Sequence, residues 1–263
     1  MRTGYGPWAV ITGASSGIGR ELALRIAEAG LNIAVVARRR KLLDELAAEA
    51  ESNYGVESLV IEADLGDADG ISAVCGATGH LEIGLFVAAA GFGTSGELLK
   101  SSVAVEMNML QVNCAALLAL THHFGRLMVA RKRGGIILLS SLVGFQGVPY
   151  AAHYAATKAY VQSLGEALYL ELKGEGIDVL SAAPGPVNSG FASRAGMQMG
   201  KALTPADIGG PILKALGRRS TVLPGFMTKF LVGSLRLLPR WGKVRVMRAV
   251  MGGFTKHQRA APN

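Results

Sequence analysis

The sequence predicts an α/β fold in which a parallel sheet of seven strands is covered by helices on both faces. Short apolar runs alternate along the chain with longer segments that have the periodicity of helices. The short runs hold apolar residues at consecutive positions, which is typical of strands buried on both faces. With 263 residues, 50% of them hydrophobic and 17% charged, the chain can bury a core of its own and is not a disordered chain.

The elements follow one another in a regular order. Trp8 to Ile11 is a buried-strand run, and a glycine loop joins it to a helical segment with apolar positions at Leu22, Leu24 and Ile26. The seven predicted strands are residues 8–11, 32–37, 59–61, 83–88, 135–140, 179–183 and 221–223, and the predicted helices are 20–29, 39–51, 107–131 and 154–173. No repeat or linker interrupts this alternation. Residues 1–225 are therefore predicted to form a single domain, and residues 226–263 an extension packed on it or on a neighbouring subunit.

The net charge of +8 is unevenly distributed. Asp207 is the last acidic residue, so residues 208–263 carry eleven basic side chains and no acid, whereas residues 1–207 carry a net charge of −3. The basicity belongs to the tail alone, and a nucleic-acid partner is not expected.

Cysteine usage and the N-terminus favour a cytoplasmic protein. Cys75 and Cys114 are too few for a disulfide framework and suit a reducing compartment. Residues 1–8 lack the apolar segment of a signal peptide, and no stretch of about 18 uncharged apolar residues predicts a membrane span.

A glycine-rich loop follows the first predicted strand. Its sequence, TGASSGIG at residues 12–19, has the spacing G-x-x-x-G-x-G. Glycines allow a sharp turn and a close approach to a ligand, and the following helix N-terminus offers free N–H groups to a pyrophosphate. The loop therefore predicts a dinucleotide site, although its spacing differs from the commonest fingerprint.

This loop and five further motifs resemble the short-chain dehydrogenase/reductase family, in the family's order and over about residues 7–225. The further motifs are Asp64-Leu65, Ala88-Ala89-Ala90-Gly91, Asn113, Ser141 with Tyr154-Ala155-Ala156-Thr157-Lys158, and Pro184-Gly185-Pro186-Val187-Asn188-Ser189. The sequence departs from the family at Ala88 and Ala89, where the family has two asparagines that brace the sheet and cofactor site. The resemblance implies a Rossmann-like, doubly wound fold and a nicotinamide cofactor.

Cofactor preference is predicted from the end of the second strand, where Arg38, Arg39 and Arg40 stand and no acid is present. This position lies against the adenosine ribose, and arginine there pairs with the 2′-phosphate of NADP, whereas an acid would accept from the 2′-hydroxyl of NAD. The sequence therefore predicts NADP(H). The resemblance places Asp64 at the adenine edge.

A catalytic group is predicted around Tyr154 and Lys158, which lie four residues apart on one helix face. An ammonium about 4 Å from a phenol supplies ~4 kcal/mol at an effective dielectric constant of ~20, enough to lower the tyrosine pKa toward neutrality. Ser141, at the end of the fifth strand, is expected to hold the substrate oxygen, and Ser140 is the neighbouring alternative. Asn113 is either a satisfied core amide or, as the resemblance implies, part of a water relay to Lys158.

The resemblance implies a larger set of cofactor contacts. They are Gly13, Ser15, Ser16, Gly17, Ile18, Gly19, Arg38, Arg39, Asp64, Leu65, Ala90, Gly91, Tyr154, Lys158, Pro184, Gly185, Val187 and Ser189. No His or Cys cluster has metal-ligand spacing, so no metal is expected.

Apolar residues dominate the loops expected to line the substrate pocket: Phe92, Val143, Phe145, Tyr150 and Phe191. Residues 188–203 contain three glycines and are predicted to be a mobile lid. These features favour an uncharged, lipophilic substrate. The predicted reaction is NADP(H)-dependent interconversion of a bulky ketone and its secondary alcohol. A 3-oxoacyl or steroid reductase is the alternative, and a non-enzymatic NADP sensor is a rival from another class.

The tail mixes apolar and basic residues between positions 226 and 254. It can close the substrate pocket or a subunit contact, lie on an anionic membrane surface, or bind nucleic acid. Burial is the expected solution, because charges interrupt the apolar residues too often for a span. The family resemblance implies a homodimer or homotetramer built on the long helices 107–131 and 154–173.

Overall fold

Seven parallel strands form one sheet in the order β3-β2-β1-β4-β5-β6-β7, in a computed structural model that describes residues 1–198, 200 and 202–259. The strands are β1 (Trp8–Thr12), β2 (Asn32–Ala37), β3 (Ser58–Glu62), β4 (Ile83–Ala88), β5 (Gly134–Leu139), β6 (Ile177–Ala182) and β7 (Thr221–Val222). Every adjacent pair is parallel. The predicted doubly wound fold is therefore confirmed, with strand boundaries displaced by one or two residues.

Helices cover both faces of the sheet. They are α1 (Arg2–Tyr5), α2 (Gly17–Glu28), α3 (Arg40–Tyr54), α4 (Ala68–Thr78), α5 (Val103–Leu110), α6 (Leu117–Arg131), α7 (Ala152–Glu171), α8 (Phe191–Arg194), α9 (Pro205–Ala215), α10 (Phe226–Arg236), α11 (Arg240–Phe254) and α12 (Lys256–Arg259). Two buried apolar clusters lie on opposite faces of the sheet. One contains Leu22 and Ile26 of α2, and the other contains Phe86 of β4 against Phe124 of α6.

The chain reverses its direction of strand addition between β1 and β4, which are neighbours in the sheet. In an open α/β sheet, ligands bind at the carboxyl ends of the strands beside such a reversal. The topology therefore places a crevice beyond Thr12 and Ala88, where the glycine loop and the loop after β4 begin.

The helix predicted at 107–131 is longer than expected, because α5, a π-helical turn (Gln111–Ala116) and α6 are continuous. This stretch, Val103–Arg131, has the length and composition of a membrane-crossing helix, with a mean hydropathy of 1.5 in its most apolar window. The sequence expectation rested on a stricter criterion, a run of about 18 uncharged apolar residues, which polar residues such as Asn113 and His122 interrupt here. The buried side of α6, with Leu120 and Phe124, packs on the sheet. Core helices often pass the same test, so it is weak evidence for a span.

Candidate active site

A cleft with a volume of about 620 Å³, within the usual range of ligand pockets, lies at the predicted crevice. Its walls come from the glycine loop, the ends of β2 and β3, the loop after β4 and the segment around α8. The residues lining it include thirteen predicted cofactor contacts: Gly13, Ser15, Ser16, Gly17, Ile18, Gly19, Arg38, Arg39, Asp64, Leu65, Ala90, Gly91 and Ser189.

The glycine loop is built for close approach. Gly13 has φ +68°, and a Cβ added there would lie 2.8 Å from the backbone of Ala89 and Ala90. At Gly19 a Cβ would lie 2.4 Å from the Gly13 carbonyl oxygen. No larger residue fits either position without moving the backbone. The loop leads directly into α2, whose first N–H groups are free for an anionic ligand.

Thr12 takes over part of the bracing that the family assigns to the missing asparagines. Its buried hydroxyl accepts hydrogen bonds from the backbone N–H groups of Ala89 and Ala90, both at 3.1 Å, and donates to the Val87 carbonyl oxygen at 3.3 Å. The loop after β4 is thus fixed to the end of β1 although Ala88 and Ala89 have no polar side chain.

Two of the three arginines after β2 face the cleft. Arg39 donates through Nη2 to the hydroxyl oxygens of Ser15, at 2.9 Å, and Ser16, at 2.8 Å. Arg38 forms an exposed ion pair with Asp64, with 3.4 Å between Nη1 and Oδ2. Arg40 instead turns along α3 to Asp44, 2.9 Å away. A guanidinium backed by two hydroxyl groups is a suitable donor set for a phosphate, and the cleft therefore fits a phosphorylated dinucleotide.

Tyr154 and Lys158 lie on α7, beside the carboxyl end of β5. Tyr154 is buried, and its ring is 5.1 Å from the Phe191 ring between centroids. The Lys158 ammonium is 5.9 Å from the centroid of the Tyr154 ring and donates to the Leu139 carbonyl oxygen at 2.7 Å. Helical spacing thus brings the two side chains together as predicted.

Ser141 contacts Tyr154, whereas Ser140 does not serve the site. Strand β5 ends at Leu139, so Ser141 precedes a 3₁₀ turn (Leu142–Phe145) rather than ending the strand. Its hydroxyl is near enough to the Tyr154 side chain to lower the pKa of that phenol. The Ser140 hydroxyl is buried and donates to the Lys158 carbonyl oxygen at 3.0 Å. The preference for Ser141 agrees with this geometry.

Electrostatics in the unliganded site differ from the expectation of an acidified phenol. Burial raises the pKa of Tyr154 to about 12, and the hydrogen bond with Ser141 opposes that rise. Burial also lowers the pKa of Lys158 to about 8. Desolvation disfavours both charged forms. Tyr154 is therefore a neutral phenol at pH 7, and the lowering of its pKa by Lys158 stays a prediction for the cofactor-bound site.

Asn113 is fully buried in the π-helical turn and has several hydrogen-bond partners. Its amide nitrogen donates to the Phe92 carbonyl oxygen at 2.9 Å and to the Thr157 hydroxyl at 3.0 Å, and its oxygen accepts from the Phe92 N–H at 3.1 Å. The structure thus gives Asn113 the role of holding the loop after β4 against α7. A water relay to Lys158 stays a prediction.

Some predicted cofactor contacts do not line the cleft. Pro184, Gly185 and Val187 are not among its lining residues; the Pro184 carbonyl oxygen accepts from the Leu142 N–H at 3.0 Å, and Val187 is buried. Tyr154 and Lys158 are also outside the residues that line it. Phe92 and Phe191, predicted for the substrate pocket, line the cleft itself.

The remaining substrate-side predictions separate into two groups. Val143 and Tyr150 pack against an apolar cluster together with Phe191. Phe145, half-buried in its 3₁₀ turn, is absent from the apolar clusters that the described residues form. Met199 and Lys201 of the predicted lid lie outside the described residues.

The tail supplies the other half of this apolar cluster. Leu235 of α10 and Met247 and Met251 of α11 pack against Ala151 and Ala155 beside Tyr154. The Gln258 side chain donates to the Ser95 hydroxyl at 2.9 Å and to the Gly196 carbonyl oxygen at 2.5 Å. In this structure the tail therefore covers the substrate side of its own chain.

Sequence reasoning did not assign Arg194 to the cofactor cleft, nor Met247 and Met251 to the apolar cluster. The spacing of the two methionines, four residues apart, was a readable signal for a buried helix face. Nothing local marked Arg194. Within residues 1–198, 200 and 202–259, no group of three His, Cys, Asp or Glu side chains is placed to hold a metal ion.

A doubly wound sheet and a tyrosine poised for proton transfer beside its crevice define an oxidoreductase with a dinucleotide site. A family model described as short chain dehydrogenase matches residues 7–199. The chain therefore belongs to the short-chain dehydrogenase family.

Two curated relatives are similar over different shares of their length. The chain is 31% identical to a 7β-hydroxysteroid dehydrogenase of Collinsella aerofaciens over 242 residues, which cover 87% of this chain and 90% of the relative. It is 33% identical to a very-long-chain 3-oxoacyl-CoA reductase of Anas platyrhynchos over 186 residues, which cover 69% of this chain and 60% of the relative.

Three solved structures have closely similar folds. One comes from a study of 7β-hydroxysteroid dehydrogenase stereoselectivity (TM-score 0.87, 29% identity, 94% of this chain and 98% of that chain). A short-chain dehydrogenase of Sphingobium yanoikuyae was solved with NADPH (TM-score 0.79, 28% identity, 88% and 94%). An alcohol dehydrogenase of Comamonas testosteroni is described as specific for bulky-bulky ketones (TM-score 0.76, 28% identity, 88% and 91%).

Proposed function

We propose that this protein is an NADP(H)-dependent oxidoreductase that interconverts a lipophilic, bulky ketone and its secondary alcohol. The observation that carries the proposal is the group of Ser141, Tyr154 and Lys158 at the edge of a cleft that fits a phosphorylated dinucleotide. Similarity to hydroxysteroid and bulky-ketone dehydrogenases supports the substrate class, and the NADPH complex of a relative supports the cofactor.

The protonation state of the site suits reduction. When bound, NADPH supplies a hydride to the carbonyl carbon. The Ser141 hydroxyl holds the substrate oxygen beside Tyr154, and the phenol of Tyr154 gives that oxygen its proton. Because the unliganded pKa of Tyr154 is about 12, the phenol carries this proton throughout the neutral range. Lys158 lies within 6 Å of the ring and stabilises the phenolate left behind.

An apolar cluster beside Tyr154 supports a lipophilic substrate. Phe191, Tyr150 and Val143 are its partly buried members, and Met247 and Met251 close it from the tail. Methionine side chains are flexible and accommodate irregular apolar shapes. A rigid ring system of the steroid type suits such a surface, whereas a sugar phosphate or a dicarboxylate finds no cation in it.

NADPH oxidation with a panel of bulky, small and charged ketones tests this proposal directly. We expect turnover with bulky uncharged ketones and none with Tyr154→Phe, which removes the proton donor. NADPH binding by that variant should stay within a few-fold of the wild type. Full activity of Tyr154→Phe would refute the assignment, and NADPH binding without turnover of any carbonyl would favour the sensor.

We further propose that the chain forms a homo-oligomer through the exposed side of α5 and α6. Val103 is 75% exposed and Met107 59%, and Leu110 and Leu118 are exposed on the same continuous helix. A shallow apolar groove between this helix and α7 includes Leu110 and Tyr160. Exposed apolar surface of this extent normally marks an interface. Light scattering should give a dimer or tetramer, and Met107→Lys should shift the protein toward the monomer.

A cytoplasmic location, supported by the free thiols of Cys75 and Cys114, is tested by cell fractionation.

A further inference from the structure

A third arginine lines the cofactor cleft, on the segment that follows β6. Arg194, the last residue of α8, lines the cleft together with Arg38, Arg39 and Asp64. These four residues are the charged groups among the described cleft lining, so the cleft carries a net charge of +2. Such an excess of positive charge attracts a polyanionic ligand.

Arg194 differs from the other two arginines in its partners. Arg38 is paired with Asp64, and Arg39 is held by the hydroxyls of Ser15 and Ser16. Among the ion pairs of the described residues, none includes Arg194, and its guanidinium lies 5.9 Å from the centroid of the Phe92 ring. Burial and the nearby charges of Arg38 and Arg39 lower the pKa of Arg194. A guanidinium in this position has donors available for a ligand.

The path of the chain before Arg194 locates it along the cofactor. The segment starts against the glycine loop, because a Cβ added to Gly17 would lie 2.8 Å from the Ser189 Cβ. It continues along the cleft through Gly190 and Ser193, and Arg194 reaches Phe92 of the loop after β4. Arg194 lies beside Phe92 and close enough to Arg38 and Arg39 for their charges to lower its pKa. Its guanidinium is therefore between the adenosine end marked by Arg39 and the loop after β4.

We propose that Arg194 binds the pyrophosphate of the cofactor from the side opposite the glycine loop. A guanidinium donates two parallel hydrogen bonds to two phosphate oxygens, and the free N–H groups at the N-terminus of α2 are donors for the other phosphate oxygens. Arg39 with Ser15 and Ser16 already forms a donor set for a 2′-phosphate. Arg194 is therefore a binding residue common to phosphorylated and unphosphorylated nicotinamide dinucleotides, and Arg39 distinguishes between them.

The test, which rests on the proposed function, compares Arg194→Gln with Arg39→Gln and with Arg40→Gln, a matched arginine outside the cleft. Fluorescence titration measures the affinity for NADPH and NADH, and competition measures the affinity for ADP and 2′-AMP. We expect Arg194→Gln to weaken NADPH, NADH and ADP by about tenfold or more and to leave 2′-AMP unchanged. Arg39→Gln should weaken NADPH and 2′-AMP and leave NADH and ADP unchanged. Arg40→Gln should bind all four as the wild type does.

Each alternative result has a definite meaning. Loss of 2′-AMP binding in Arg194→Gln, with ADP unchanged, would move Arg194 to the 2′-phosphate and overturn the proposal. Unchanged affinity for all four ligands would also overturn it. Arg194→Lys, which keeps the charge but not the paired donors, should restore part of the ADP affinity. If the wild-type protein binds neither NADPH nor ADP, the proposed function itself fails. If the wild-type protein binds both and Arg194→Gln binds them with the same affinity, only the role of Arg194 fails.

Discussion

Thr12 is the most informative position for a stability test, because one hydroxyl fixes the loop after β4 to the end of β1. Thr12→Val keeps the shape of the side chain and removes the acceptor for the N–H groups of Ala89 and Ala90. A buried donor left without a partner costs about 1–3 kcal/mol. The Ala89 N–H keeps a hydrogen bond to the Val87 carbonyl oxygen at 3.1 Å, so the half-buried Ala90 N–H is the donor that loses its partner. We therefore expect a loss of about 1–2 kcal/mol in the free energy of unfolding.

Thr121 on α6 offers a matched control. It is as buried as Thr12, at 4% against 2% exposure, but its hydroxyl finds no hydrogen-bond partner among the described residues. Thr121→Val should therefore be neutral or stabilising, since it removes an unsatisfied polar group. Urea unfolding at fixed protein concentration measures both variants, and NADPH titration reports whether the loop after β4 has moved. Equal losses in the two variants, or a loss below about 1 kcal/mol for Thr12→Val, would refute the reasoning.

Three further predictions concern the cofactor, pH and the tail. In Arg39→Gln, the ratio of NADPH to NADH affinity should fall by about tenfold or more, measured by fluorescence titration, and an unchanged ratio would place the 2′-phosphate elsewhere. Because burial lowers the pKa of Lys158 to about 8, the unfolded chain binds more protons above that pH, so stability should rise between about pH 8 and pH 10. Lys158→Met should remove this slope in pH-dependent urea unfolding, and a retained slope would assign it to another group. Met251→Ala should raise the KM for bulky ketones and leave NADPH affinity unchanged. Leu237→Ala, at an exposed position, should change neither quantity. Equal effects of the two variants would exclude a substrate-side role for the buried face of α11.

The sequence predicted the sheet well, because strands buried on both faces are uninterrupted apolar runs. Helix α4 was missed since Gly70 and Gly76 weaken its periodicity, although Asp67 at its N-cap accepts a hydrogen bond from the Gly70 N–H. Helix α9 was missed despite a readable start, a capping box between Thr204 and Asp207 with Pro205 in its first turn. The capping residues therefore marked the starts of these two helices where the apolar spacing did not.

In the site, residue identity was more predictable than electrostatics. Motif spacing found Ser141, Tyr154 and Lys158, and helix geometry brings the last two together. The pKa of Tyr154 also depends on burial by distant segments such as that of Phe191, which no local pattern describes. Arg194 was missed as a cleft residue for the same reason.

The single turn of α8 links the binding of the cofactor to the binding of the substrate. Its first residue, Phe191, packs on the Tyr154 ring, and its last, Arg194, lines the cofactor cleft. Four consecutive residues thus contact both sites, so a ligand that fixes one end of the turn has already restricted the other. The second ligand then loses less conformational entropy, and by thermodynamic linkage the gain in affinity is mutual. Cofactor and ketone should therefore bind cooperatively even though they share no hydrogen-bonding side chain on α8.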